Sequence, residues 1–160
     1  DLMENRIIRL RRHLLIILDE AQQLSDEGLN ELKNLGNFGE ADRNYLSIIL
    51  AGQPELADKV RDLPSVDQRI GLRYHLMPLN PAEVGEYVDY RLKKSGYNGS
   101  SLFTDQAKAS LHEETGGVPR EINRVCKLAL DKAFSQGKRL IDSALITTIV
   151  EDVFRQHARI

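Results

Sequence analysis

A run of five apolar residues, Leu14 to Leu18, ends in two adjacent carboxylates, Asp19 and Glu20. Successive side chains leaving a strand diverge, so such a pair can divide its work. One carboxylate can hold a hydrated magnesium ion while its neighbour orients and deprotonates an attacking water. A second apolar run, Tyr45 to Ala51, ends at Gly52-Gln53-Pro54, which sets the Gln53 amide at another strand end, able to hydrogen-bond a phosphate oxygen or the same water. Arg69 and Arg73 stand in the stretch DQRIGLRYHLMPL, where a guanidinium can face a phosphate from a neighbouring subunit. Arg120 occupies the first turn of a helix that Pro119 opens after Gly116-Gly117. Each has a plainer reading beside it: an acidic strand-to-helix corner, a turn residue before proline, and solvated arginines.

For these groups to meet, a sheet must bring its strand ends together. The β-branched run Leu14 to Leu18 has the pattern of a strand buried on both faces of a parallel sheet, and α/β sheets hold ligands at the carboxyl ends of their strands. Ser25 caps a following helix through about Leu35, with Asp26 and Glu27 in its first turn. Asn34 to Asn44 is a polar, glycine-bearing loop, and Pro54 ends the second strand and starts the next helix. Val66 to Ile70 predicts a short helix, and Leu72, Tyr74 and Leu76 alternate with Arg73, His75 and Met77 as a third strand does. Leu2 to Arg12, with Arg6, Arg9, Arg11 and Arg12, predicts a short basic helix, best read as a solvated face.

After Pro78 the period changes to that of helices. Asn80 caps one helix with Pro81 at its first position and Glu83 at the capping-box place; Val84, Tyr87, Val88 and Leu92 form its apolar face. Thr104 begins a second. Pro119 opens a third with a stripe of Ile122, Val125, Cys126, Ala129, Leu130, Ala133 and Phe134. Asp142 opens a fourth with Leu145, Ile146, Ile149, Val150, Val153 and Phe154 on one face. The expected organisation is part of an α/β parallel-sheet domain over residues 1–79, followed by an all-helical domain over 80–160.

Composition sets the outer bounds. The 160 residues are 41% hydrophobic and 29% charged, the balance of a globular chain, and the formal charge of -2 gives no global attraction to nucleic acid or anionic membrane. The longest uninterrupted apolar run falls far short of the roughly 20 residues that a membrane helix needs, so no membrane contact is expected. A lone cysteine, Cys126, allows no internal disulfide and points to a reducing, cytoplasmic setting; within its stripe it reads as a core residue. His13, His75, His112 and His157 are scattered without ligand spacing, which argues against a metal site built from histidine.

In order and spacing, these features resemble the AAA+ ATPases along nearly the whole chain. LLIILDEAQ is similar to a Walker B strand, Gln53 in IILAGQPEL falls at the sensor-1 position, Arg69 at that of an arginine finger, and Arg120 in GGVPREINR at sensor 2. GQPEL, QRIGLRYHLMPLNPAEVGEYVDYRL and GGVPREINRVCKLAL resemble the ExeA/GspA type within that superfamily. The resemblance implies an ATP- and Mg2+-dependent ATPase. Asp19 would hold magnesium through water, Glu20 would activate the attacking water, and Arg69 of a neighbouring subunit would stabilise the transition state. Arg73 and Arg120 would contact the nucleotide, and residues 80–160 would form the lid. It further implies an oligomer on the cytoplasmic side of the inner membrane that serves type II secretion, with an inner-membrane anchor in the parent as one alternative; a related group handles DNA beside transposases.

One family signature does not occur. A phosphate-cradling loop needs G-x-x-x-x-G-K-[ST], and the Gly137-Lys138 pair is followed by Arg139 at a helix-ending turn. The chain is therefore expected to be the carboxyl-terminal two-thirds of an ATPase module, unable by itself to hold ATP tightly. Two other readings compete: a non-hydrolysing interaction domain, and a helix-turn-helix DNA binder over Leu111 to Val125 with Arg120 and Arg124 exposed.

Overall fold

The computed structural model describes residues 13–36, 39–40 and 43–157, without the side chains of 39–40, 43–44 and 153–157. The expected basic helix at 2–12, and the side chains of Val153 and Phe154, lie outside the described residues. The chain divides between Tyr74 and His75 into two compact units.

In the first unit, β1 (Leu14–Leu18) leads through a 3-10 turn (Ala21–Gln23) into α1 (Asp26–Leu35). Ser25 Oγ accepts the Gly28 N–H at 3.1 Å, satisfying one of the donors that a helix start leaves open. Within the span expected to be a loop, β2 (Gly39–Glu40) and β3 (Arg43–Asn44) pair antiparallel as a small hairpin. The following strand, β4 (Leu46–Leu50), lies parallel to β1, with Leu14 opposite Leu46 and Leu18 opposite Leu50. That register brings both carboxyl ends to one level. Next come α2 (Glu55–Arg61) and α3 (Pro64–Asp67), and Leu29, Val60 and Val66 form the unit's buried cluster. Pro64 starts α3 from its first turn, earlier than the apolar pattern alone predicts.

Two expectations about the sheet are corrected. Leu15 and Ile17 are 50% and 61% exposed, so β1 is covered on one face only. Leu72, Tyr74 and Leu76 belong to no strand and are 83–85% exposed. Alternation makes a segment fit for a sheet, but a strand exists only through hydrogen bonds to a neighbour, and no described residue pairs with this one.

The second unit is helical: α4 (Pro81–Lys94), α5 (Asp105–Thr115), α6 (Pro119–Ser135) and α7 (Ser143–His157). The Asn80 side chain accepts the Glu83 N–H at 3.0 Å and the Glu83 carboxylate accepts the Asn80 N–H at 2.8 Å, the reciprocal capping box that the sequence predicts. Thr104 and Asp142 cap α5 and α7 through the N–H groups of Ala107 and Leu145. Gly137, at φ 65°, closes α6 with the Lys138 N–H on the Ala133 carbonyl, a helix-ending turn as expected. A parallel bridge between Phe103 and Ile141 ties the entrances of α5 and α7. The core runs through Val84, Leu111, Ile122, Ala129 and Ile146, each under 2% exposed. Phe134 departs from its expected stripe at 88% exposed, because it lies in the last turn of α6 while Ala133 takes the inward position.

Candidate functional site

The parallel pairing of β1 and β4 continues past their ends: the Ala51 N–H donates to the Leu18 carbonyl at 2.8 Å, and the Ala21 N–H to the Ala51 carbonyl at 2.9 Å. Asp19 and Glu20 are the two residues held between these bonds, and Gln53 follows two residues after Ala51. The structure therefore brings three of the sequence-predicted residues to one sheet edge. All three side chains are exposed, as groups that must reach a solute require.

Glu20 is the one non-glycine residue with positive φ among the described residues, at φ 53° and ψ 35°. A side chain in this left-handed region costs about 1–2 kcal/mol, which local hydrogen bonds must offset. They are present. The Glu20 N–H donates to Asp19 Oδ1 at 2.9 Å, and Glu20 Oε2 accepts from Gln22 Nε2 at 2.6 Å. Gln22 Oε1 in turn accepts the Gln53 N–H at 3.2 Å. Lys59 of α2 donates to the carbonyls of Gln22 and Leu24, which fixes the 3-10 turn from below. Gln22 is the site residue that sequence reasoning missed; its signal was present in the DEAQ string, two residues beyond the carboxylate it contacts.

Asp19 keeps one carboxylate oxygen open. Its Oδ1 is occupied by a backbone N–H, whereas Oδ2 has no protein donor among the described residues. No group of three or more His, Cys, Asp and Glu side chains among the described residues forms a direct metal cage. A single carboxylate with one free oxygen suits magnesium, which keeps its own waters.

The three arginines fall elsewhere and differ in freedom. Arg69 follows α3 with an exposed guanidinium that no group among the described residues holds. Arg73 is engaged, donating to the Asp67 carboxylate at 2.5 Å and to the Asp67 carbonyl at 3.2 Å. Arg120 is the second residue of α6, exposed, just after a turn in which Gly116 and Gly117 have φ 58° and 73°. The Leu79 N–H donates to the Gly117 carbonyl at 2.9 Å, so this turn is bound to the segment entering α4. Cys126 is partly buried in α6, and burial pushes its thiol up to about 12, which removes it as a nucleophile near neutral pH. Among the described residues no helix is long and apolar enough to cross a membrane.

Comparison with known proteins follows the same lines. Residues 1–60 match a family model described as an AAA domain. General secretion pathway protein A of Aeromonas hydrophila is 40% identical over 128 residues, which cover 79% of this chain and 23% of that protein. A Methanocaldococcus jannaschii protein described as an uncharacterized HTH-type transcriptional regulator is 26% identical over 82% of this chain and 33% of its own length. The chain thus spans a third or less of the curated relatives it matches. Among solved structures, the Thermotoga maritima RuvB Holliday junction branch migration motor superposes with a TM-score of 0.68 at 16% identity, over 93% of this chain and 47% of that one.

Proposed function

We propose that the chain is a segment of an AAA+ ATPase and carries the water-activating part of an ATP-hydrolysing site in a secretion-pathway ATPase. The observation that carries this reading is the meeting of Asp19, Glu20 and Gln53 at the shared carboxyl end of β1 and β4. The 40% identity to general secretion pathway protein A supports the secretion role, on the cytoplasmic side of the membrane where ATP is supplied.

In this reading Asp19, as the Walker B aspartate, would hold magnesium through bound water with Oδ2, which has no protein donor among the described residues. The ion, when bound, neutralises phosphate charge. Glu20 receives a proton from the attacking water at Oε1, the oxygen that Gln22 leaves free. Gln53 orients that water or a phosphate oxygen through its amide. Arg69 serves a neighbouring subunit, where its guanidinium, without a partner among the described residues, stabilises charge that develops as the phosphoryl group transfers. Arg120 contacts the nucleotide as sensor 2. Arg73, held by Asp67, must exchange partners to touch phosphate directly.

The test uses the full reading-frame product that carries this segment. Glu20→Gln keeps nucleotide binding and lowers turnover by about a hundredfold or more, the scale of losing a general base. Unchanged turnover removes Glu20 from the role. Arg69→Ala lowers hydrolysis only in assemblies, and mixing it with the Glu20 variant restores part of the rate. No restoration in mixed assemblies overturns the trans assignment.

A further inference from the structure

We propose that Gln22 is a positioning residue that couples the Glu20 carboxylate to the Gln53 turn, so that the turn's place sets the base's aim. The inference rests on the ATPase reading of Glu20 above. Its chemistry fixes which end of the amide points where. The Gln53 backbone N–H can only donate, so it must face Gln22 Oε1, and the ionised Glu20 carboxylate can only accept, so it must face Gln22 Nε2. One amide therefore spans two strand ends with no ambiguity of orientation.

Three further observations make this a mechanical link rather than a passing surface contact. The Gln22 backbone is itself anchored, since Lys59 donates to its carbonyl at 3.4 Å, so the side chain extends from a fixed base. Glu20 is held in the left-handed region, a backbone conformation that persists only where the surrounding contacts hold it. Gly52 leaves the space the amide needs: a Cβ there would lie 2.5 Å from Gln22 Oε1, 3.2 Å from Leu56 Cδ2 and 3.3 Å from the Ala21 backbone nitrogen. The closest of the three falls on the end of the amide that receives the Gln53 N–H, and the other two are also tighter than ordinary van der Waals contact. The glycine before Gln53 thus leaves room for the Gln22 amide beside Leu56 and the Ala21 backbone. A base that must aim one oxygen at a water benefits from having the other fixed, because small misplacements of a reacting group are costly in rate.

Steady-state ATPase kinetics and nucleotide affinity of the full reading-frame product test the link through Gln22→Ala, Gln22→Glu, Gly52→Ala and the Gln22→Ala/Gly52→Ala pair. Gln22→Glu is the decisive variant. It keeps the length and the acceptor for Gln53 but replaces the donor to Glu20 with a like charge. Both Gln22 variants are expected to lower kcat by about 10- to 100-fold, with KM and nucleotide Kd unchanged. Gly52→Ala lowers kcat by displacing the amide, and its effect shrinks once Gln22 is alanine, to what the tight contacts with Leu56 and the Ala21 backbone cost.

A merely structural staple gives a different result: Gln22→Glu retains kcat, or KM and Kd rise together with the loss, and either outcome overturns the proposal. Independent, additive effects of Gly52 and Gln22 overturn it as well. Glu20→Gln separates the two levels of inference. If it abolishes turnover while Gln22→Ala does not change kcat, only the positioning role fails; if Glu20→Gln is inert, the ATPase reading fails and takes this role with it.

Discussion

The helical unit seals fourteen buried apolar residues into one cluster, whereas the cluster of the sheet unit holds Leu29, Val60 and Val66. Leu15, Ile17 and Ile49 of the two-stranded sheet are half exposed, as are none of the side chains at the centre of the helical cluster. Yet the residues with chemistry at hand, Asp19, Glu20, Gln22 and Gln53, all belong to the sheet unit. There the local geometry is set by hydrogen bonds across two strand ends rather than by burial. The contrast separates what holds a unit together from what aims a reactive group: buried area resists unfolding without direction, and a short polar relay gives direction while adding little stability.

The hardest test of this contrast is to cut the chain between the units. Residues 75–157 alone are expected to unfold in a single cooperative thermal transition with dispersed amide resonances. Residues 13–74 alone are expected to show no cooperative transition, because a two-stranded sheet with one open face buries too little apolar area to offset the entropy of ordering. Circular dichroism and amide correlation spectra of the two pieces decide it. A cooperative 13–74 piece breaks the comparison at its root.

Truncation of single side chains sharpens it. Leu111, at 0% exposed within the helical cluster, loses about 3 kcal/mol on replacement by alanine, from lost burial and the cavity left behind. Ile17→Ala in β1, at 61% exposed, costs less than about 1 kcal/mol. Urea denaturation of the intact chain, with probes in each unit, measures both. Equal costs at the two positions show that Ile17 is covered in solution.

How much of this was legible in advance depended on the range of the interactions. The helix starts at Ser25, Asn80, Thr104 and Asp142 were readable because a cap is a contact between residues three apart. Asp19, Glu20 and Gln53 were readable as strand-end groups, and β1 and β4 do pair in parallel with those ends together. The segment around Leu72, Tyr74 and Leu76 was not, since its alternation states only what a sheet would accept and pairing depends on a partner distant in sequence. Phe134 misled in another way: helical periodicity gives a direction, and near a helix end the neighbouring elements no longer reach the side chain. Gln22 escaped because its role depends on Gln53, thirty-one residues away.

Within the helical unit the glycine pair before α6 offers the finest comparison. Gly117 has φ 73° and its missing Cβ would run into the Leu79 carbonyl carbon and oxygen, while Gly116 has φ 58° and open space around the same position. Both substitutions by alanine bear the strain of the left-handed region, about 1 kcal/mol each. Only Gly117→Ala also collides with backbone, and the Leu79 N–H is bonded to the Gly117 carbonyl, so relief requires moving the entrance of α4 or giving up that bond. Gly117→Ala is therefore expected to cost about 2–3 kcal/mol, within the range of strained backbone sites, and Gly116→Ala about 1. Urea midpoints of the 75–157 piece measure the difference. Equal costs mean that the 78–80 segment yields freely, in which case the turn that leads to Arg120 is not fixed by Leu79 and the helix start bearing this arginine moves independently of α4.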